Sequence, residues 1–106
     1  MRVLFDQGTP APLRHLLLRH TVSTAYELGW STLKNGELLA AAEGQAFEIL
    51  VTTDTSLKYQ QNLASRRIAI LVLSTTSWPR IKAAAETVAM AVDAAAPGQF
   101  VEVAVP

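Results

Sequence analysis

Cysteine is missing from this sequence, and its absence excludes disulfide bonds and thiolate metal sites. The only two histidines, His15 and His20, are five positions apart, so they do not form the i, i+4 pair of a helical metal site. The nine basic residues equal the nine acidic ones, so a global positive charge for nucleic acid is absent too. No uninterrupted apolar segment is long enough to cross a bilayer. Function must therefore be sought in local groups of oxygen-bearing side chains.

The 106 residues are 50% hydrophobic, more than a disordered chain carries, and their number suits one domain over 1–106 with a single core. The first residues resemble a strand and lack the charged start and long apolar stretch of a signal peptide. Together with the lack of cysteine, this pattern predicts a cytoplasmic protein.

Apolar runs alternate with helical patterns, which predicts the order β-α-β-α-β-(α)-β-α-β. Predicted strands cover 2–5, 21–24, 47–52, 68–73 and 100–105; predicted helices run from Pro12 to about His20, from an N-cap at Asn35 to Gly44, around 59–63, and from a cap at Ser77 to Pro97. The run 68–73 is apolar at every position, as in a strand buried on both faces. Strands separated by helices predict right-handed crossovers and a mainly parallel sheet, an α/β fold.

Acidic side chains follow two of the predicted strands. Asp6 ends the first strand and Asp54 follows the third, and ligands of open parallel sheets bind beyond the carboxyl ends of strands. Glu37 lies at the start of the helix capped by Asn35, which is expected at the same edge. Three clustered carboxylates repel one another unless protons or a cation are present. Oxygen ligands without cysteine favour Mg²⁺ or Mn²⁺ over zinc.

Each acidic residue also has a common structural role. Asp6 can hydrogen-bond the loop that follows it, Asp54 can cap the next turn, and Glu37 can interact favourably with a helix dipole. For any one of them alone, the structural role is the more frequent; two strand-end aspartates together favour a site. Three basic residues flank the polar segment after Asp54 and are candidate phosphate contacts, with a solvated surface as the alternative: Lys58, Arg66 and Arg67.

Three segments resemble the acidic motifs of the PIN-like superfamily, and more narrowly those of short bacterial PIN-like proteins that occur as toxins of toxin–antitoxin systems. They are Val3-Leu4-Phe5-Asp6, Asn35-Gly36-Glu37-Leu38-Leu39-Ala40 and Leu50-Val51-Thr52-Thr53-Asp54. The resemblance implies a three-layer α/β/α sandwich with a mainly parallel five-stranded sheet in the order 3-2-1-4-5.

The same resemblance implies a metal-dependent ribonuclease. Its catalytic carboxylates would be Asp6, Glu37 and Asp54, which with Asn35 hold one or two Mg²⁺ or Mn²⁺ ions while a metal-activated water attacks the phosphodiester in line. RNA, a cognate antitoxin and a second copy of the chain are the implied partners. Trp30 or Trp78 is the expected aromatic anchor of such a homodimer.

The sequence departs from the PIN-like pattern in two places. Asn35 stands where an acid usually opens the second motif, and Thr55-Ser56 follow Asp54 where a second acid is common. Glu27 is a further acid that can approach from its loop. Fewer charges favour an alternative function, a catalytically degenerate domain that binds RNA or protein. A receiver-like phosphotransfer domain is a third hypothesis, because Asp54 follows strand three, but residues 101–106 supply no lysine.

Overall fold

The computed structural model of the protein describes residues 1–57 and 66–106. Five strands form one sheet in which every neighbouring pair is parallel: β1 (Arg2–Phe5), β2 (Thr21–Thr24), β3 (Ile49–Thr52), β4 (Ala69–Leu73) and β5 (Phe100–Val103). The predicted five-stranded parallel α/β fold is confirmed. Numbered along this chain, the strands lie in the order β2-β1-β3-β4-β5. The order 3-2-1-4-5 places the first strand next to the fourth. In the structure the neighbour of β4 on that side is β3, and β1 lies between β2 and β3.

Helical segments cover both faces of the sheet. They are a 3₁₀ helix (Ala11–Leu16), α1 (Asn35–Gly44), α2 (Trp78–Ala83) and α3 (Ala85–Ala94). One sheet face, here called the Phe5 face, carries Val3, Phe5, Val51 and Leu71 and packs against the 3₁₀ helix, α2 and α3. The opposite face, the Leu4 face, carries Leu4, Leu50, Ile70 and Val72 and packs against α1. All five residues of β4 are buried, as its unbroken apolar run predicts.

The helices differ from the sequence prediction more than the strands do. The first is a 3₁₀ helix that ends at Leu16, not an α-helix that reaches His20. The long helix expected after Ser77 is two helices with a break at Ala84. Alanine is the strongest helix former, so local propensity does not account for that break. The helix predicted around 59–63 lies outside the described residues. No described helix is long and apolar enough to cross a membrane.

Two connections in the sheet have opposite hands. The segments β2-α1-β3 and β4-α2-α3-β5 both carry the chain from the β2 edge towards the β5 edge, but α1 crosses the Leu4 face and the α2-α3 pair crosses the Phe5 face. Parallel crossovers that run in one direction over opposite faces have opposite hands, so one of the two is left-handed. This differs from the uniformly right-handed connections that the sequence predicts. The short 3₁₀ helix leaves much of the Phe5 face to be covered by α2 and α3.

Candidate functional site

Asp6 and Asp54 lie at the carboxyl edge of the sheet, after two adjacent strands near its centre. Asp6 directly follows β1, and Asp54 follows β3 by two residues. From β1 the chain proceeds outward to β2, whereas from β3 it proceeds to β4 on the other side. This is a topological switch point, the place where open α/β sheets form a ligand-binding crevice. The sequence therefore located both aspartates at the correct edge.

Asp6 is held by three donors from its own surroundings. Its Oδ1 accepts from the Thr9 N–H at 3.1 Å and lies 2.7 Å from the Thr9 hydroxyl, and its Oδ2 accepts from the Thr52 hydroxyl. The Thr9 hydroxyl is also 2.9 Å from the Val51 carbonyl oxygen, so its single proton serves one acceptor at a time. The loop role that the sequence allowed for Asp6 is therefore present in the structure.

Asp54 is satisfied in the same way. Its Oδ1 accepts from the Ser56 N–H at 3.0 Å and the Ser56 hydroxyl at 2.7 Å, while its Oδ2 accepts from the Asn35 Nδ2 at 2.8 Å. The pKa of Asp54 is lowered, first by the hydrogen bond from the Ser56 hydroxyl; burial opposes this effect, and the Asn35 amide and the Ser56 N–H then lower the pKa further. Thr52 joins the two aspartates, because its hydroxyl donates to Asp6 and accepts from the Asp54 N–H at 3.0 Å.

Glu37 does not join the two aspartates. It is exposed and its Oε1 accepts from the Lys34 N–H at 3.2 Å, a cap at the start of α1. Asn35, two positions earlier on the helix, is the residue that reaches Asp54; a shift of two residues turns a side chain by about 200° around the helix axis. Within residues 1–57 and 66–106, no three His, Asp or Glu side chains are placed to hold a metal ion. The expected convergence of Asp6, Glu37 and Asp54 is thus not observed.

A different acid, Glu27, shares a cavity with Asp6. This cavity of about 330 Å³ lies beside β1 and β2 and includes Asp6, Thr9, Arg14, Tyr26 and Glu27 in its lining. The Arg14 Nη1 donates to the Glu27 Oε2 at 3.2 Å, the Arg14 Nη2 donates to the Oε1, and the Thr24 N–H donates to the Oε1 at 2.9 Å.

The contacts of Glu27 explain its acidity and were partly visible in the sequence. The hydrogen bond from Arg14, followed by that from the Thr24 N–H, lowers the pKa of Glu27 to about 2. The spacing Thr24-x-x-Glu27 is that of a capping box, which places the carboxylate against the end of β2. The Arg14 partner carried no such signal, because it lies 13 positions away on a different element.

A smaller cavity reaches Asp6 from the α1 side. Its volume is about 100 Å³, and Asp6, Trp30, Leu33 and Asn35 are among the residues that line it. Trp30 packs edge-to-face on Phe47, with ring centroids 6.1 Å apart, and Trp78 packs against the core on the Phe5 face. Both tryptophans are half-buried, and the homodimer for which either could be the anchor stays a prediction.

Two of the three basic residues predicted to flank the site, Arg66 and Arg67, lie at the other edge of the sheet. Arg66 and Arg67 precede β4, and the Arg66 Nη1 donates to the Glu43 Oε1 at 2.7 Å. The Arg67 N–H donates to the same carboxylate at 2.8 Å. A five-residue strand is roughly 17 Å long, so these arginines are far from Asp6 and Asp54. Lys58 lies outside the described residues.

Gly8 is the tightest point of the loop that holds Asp6. A Cβ added there would be 2.6 Å from the Thr53 Oγ1, a distance that real Cβ atoms do not tolerate. We expect Gly8→Ala to destabilise the protein by about 1–2 kcal/mol in urea unfolding, because the loop and Thr53 must move apart. Adding Thr53→Ala removes the clashing oxygen and should recover most of that loss. Equal instability of the single Gly8→Ala and the double variant would contradict this origin.

Comparison of the chain with protein-family models, curated proteins and solved structures found no match.

Proposed function

We propose that the carboxyl edge around Asp6 and Asp54 is the site of a Mg²⁺- or Mn²⁺-dependent ribonuclease of the PIN-like type. The observation that supports the proposal best is their position: two aspartates after adjacent strands at the topological switch point, joined through the Thr52 hydroxyl. Catalytic and metal-binding sites occur preferentially at such edges, whereas turn caps occur anywhere on a surface.

The donor set around the two aspartates suits a hard divalent ion. It consists of the two carboxylates of Asp6 and Asp54, and Mg²⁺ and Mn²⁺ prefer oxygen ligands. One or two carboxylates with several waters are a common way for proteins to hold Mg²⁺, and Glu27 lines a cavity that Asp6 also lines. A carboxylate offers about four lone-pair directions. Among the described donors, three bond to Asp54 and at most three to Asp6, since the Thr9 proton is shared with Val51. One direction on each therefore remains for an ion or for one of its water ligands.

The chain's own residues have distinct roles in this proposal. Asp6 and Asp54 would hold the ion, while the hydroxyls of Thr9 and Thr52 orient Asp6 and the Asn35 amide orients Asp54. A bound divalent ion supplies a water of lowered pKa as the nucleophile and offsets charge on the scissile phosphate. RNA as substrate, a cognate antitoxin, a homodimer and a cytoplasmic location belong to the same proposal and are supported by the PIN-like resemblance.

Replacement of Asp6 by Asn tests the proposal. We expect Mn²⁺ to raise the melting temperature of the unaltered protein and to support cleavage of a mixed RNA, and both effects should be lost in Asp6→Asn because a charged ligand is gone. Without metal, Asp6→Asn should lose about 1 kcal/mol, since an amide cannot accept all three donors. The Mn²⁺ response, not the metal-free stability, is therefore the decisive measurement.

Glu37→Gln is the matched control for Asp6→Asn. It makes the same kind of change at an exposed helix start, and its Mn²⁺ response should equal that of the unaltered protein. Equal Mn²⁺ responses in Asp6→Asn and the unaltered protein would rule out the metal site.

A specific observation supports a second candidate, the catalytically degenerate PIN-like domain. The Asn35 amide donates a hydrogen bond to Asp54, and the Thr52 hydroxyl donates one to Asp6. Uncharged donors of the protein thus stabilise both carboxylates without a cation. Such a domain would bind RNA or protein in the presence of EDTA and would show no Mn²⁺ response. RNA affinity measured by fluorescence anisotropy in EDTA separates it from the metal-dependent enzyme.

The strand order favours a third, lower-ranked candidate. The order 2-1-3-4-5 is also that of flavodoxin-like receiver domains, in which an aspartate after β3 accepts a phosphoryl group. Here both Asp54 oxygens accept hydrogen bonds, and residues 101–106 contain no lysine. An acyl phosphate detected on Asp54 by mass spectrometry after treatment with acetyl phosphate would establish this candidate.

A further inference from the structure

The Arg14 guanidinium is a cation beside the carboxyl edge, and the proposed mechanism gives it no role. Its guanidinium lies against both oxygens of Glu27, and the Arg14 Nη2 also donates to the Val22 carbonyl at 3.3 Å. The Arg14 Nε is buried and makes no hydrogen bond to any described residue. The Arg14 side chain is thus held by contacts with Glu27 and with Val22. It occupies the position beside Glu27 that a divalent cation would take if Glu27 were a metal ligand.

The charges around this cavity do not balance. Asp6 and Glu27 contribute two carboxylates, Arg14 contributes one guanidinium, and the other described lining residues are uncharged. Glu27 is neutralised by Arg14, while the described donors to Asp6 are uncharged: the Thr9 N–H and two hydroxyls. A cation entering beside Asp6 therefore finds one carboxylate available and a second already paired.

We propose that Arg14 is a built-in cation that competes with the divalent ion for Glu27. In the metal-free protein the guanidinium holds Glu27; when an ion binds at Asp6, Glu27 exchanges Arg14 for that ion. The inference rests on the proposed metal site and specifies its regulation, because the strength of the Arg14–Glu27 pair then sets the metal concentration at which the site fills.

The pair has the exposure that such an exchange needs. The side chains of Arg14 and Glu27 are 27% and 48% exposed, and partly exposed ion pairs are weak in water. Thr24 holds Glu27 independently of Arg14: its N–H donates to the Glu27 Oε1, and its hydroxyl accepts from the Glu27 backbone N–H. Arg14 stays tied to Val22 and need not leave the cavity.

The test is a Mn²⁺ titration by isothermal calorimetry, which reads binding and not activity. Arg14→Gln should bind Mn²⁺ more tightly than the unaltered protein, by roughly fivefold, the factor that corresponds to a partly exposed ion pair. Arg14→Lys keeps the charge and should remain close to the unaltered protein. Glu27→Gln should weaken Mn²⁺ binding, and the double variant Arg14→Gln/Glu27→Gln should lose the gain. Circular dichroism establishes that each variant is folded.

Every outcome decides the proposal. Unchanged affinity in Arg14→Gln would overturn the competition and leave the proposed metal site standing. A gain that persists in the double variant would also overturn it, because the effect would then come from net charge and not from Glu27. Absence of Mn²⁺ binding in both the unaltered protein and Arg14→Gln would overturn the metal site itself. If Arg14→Gln does not fold, Glu27→Gln decides: undiminished Mn²⁺ affinity there contradicts the exchange.

Discussion

Ile70→Asp is expected to unfold the protein. Ile70 is 2% exposed in β4, between Leu50 of β3 and Phe100 of β5, and it packs into the cluster on the Leu4 face. An unpaired carboxylate at this position has no described basic partner, and its burial costs several kcal/mol, on the order of the whole stability of a small domain. Far-ultraviolet circular dichroism and a lost cooperative melting transition would report the unfolding.

Leu18→Asp is the matched control, because it makes a leucine-to-carboxylate change at a side chain that is 87% exposed. It should leave the melting temperature nearly unchanged. A folded Ile70→Asp protein with a normal transition would show that β4 does not form the centre of the core.

Asn35→Asp is expected to destabilise the metal-free protein at neutral pH by about 2–4 kcal/mol. The change removes the 2.8 Å hydrogen bond to the Asp54 Oδ2 and replaces it with a second carboxylate. Repulsion raises the pKa of the pair above that of the unfolded chain, so the penalty is present at neutral pH and is relieved as pH falls and one carboxyl takes a proton. If the edge holds a divalent ion, Mn²⁺ should relieve the same penalty without a change of pH.

Asn35→Ala separates the lost donor from the added charge. It should cost less, about 1–2 kcal/mol, and show neither the recovery at low pH nor the recovery with Mn²⁺. Urea unfolding of both variants at neutral and low pH, with and without Mn²⁺, measures these changes in the free energy of unfolding. Equal stability of Asn35→Asp and the unaltered protein in EDTA at neutral pH would mean that the amide does not hold Asp54 in place.

The strands could be predicted from the sequence because their signal is local. The run 68–73 is apolar throughout and becomes the fully buried β4, and Val3 to Phe5 likewise become buried in β1. The break at Ala84 had no such signal, because three alanines in a row give no local reason to stop a helix. The side of the sheet over which α2 and α3 pass also depends on how much the 3₁₀ helix leaves uncovered, which is a property of the assembled fold.

Some residues of the candidate site could be predicted from local sequence signals, and others could not. Strand ends locate Asp6 and Asp54, because carboxyl ends of parallel strands share an edge. The roles of Asn35 and Glu37 could not be assigned from the sequence, because the predicted cap at Asn35 is wrong by one residue: the N-cap of α1 is Lys34, and Asn35 is its first helical residue. Helix boundaries are the least reliable part of a sequence-based prediction. Arg66 and Arg67 follow Asp54 by only about a dozen residues, but they precede β4, which begins at the opposite edge of the sheet because it is parallel to β3.

The packing of α2 and α3 on the Phe5 face has a consequence for how the chain is made. A chain leaves the ribosome from its N-terminus, and domains are completed only when their last packing elements have emerged. Among the described helices, only the 3₁₀ helix covers the row formed by Val3, Phe5, Val51 and Leu71 until residues 78–103 have been synthesised, because α2 and α3 supply the rest of that helical cover. A stalled or truncated chain that ends after β4 would therefore expose this apolar row to chaperones and proteases.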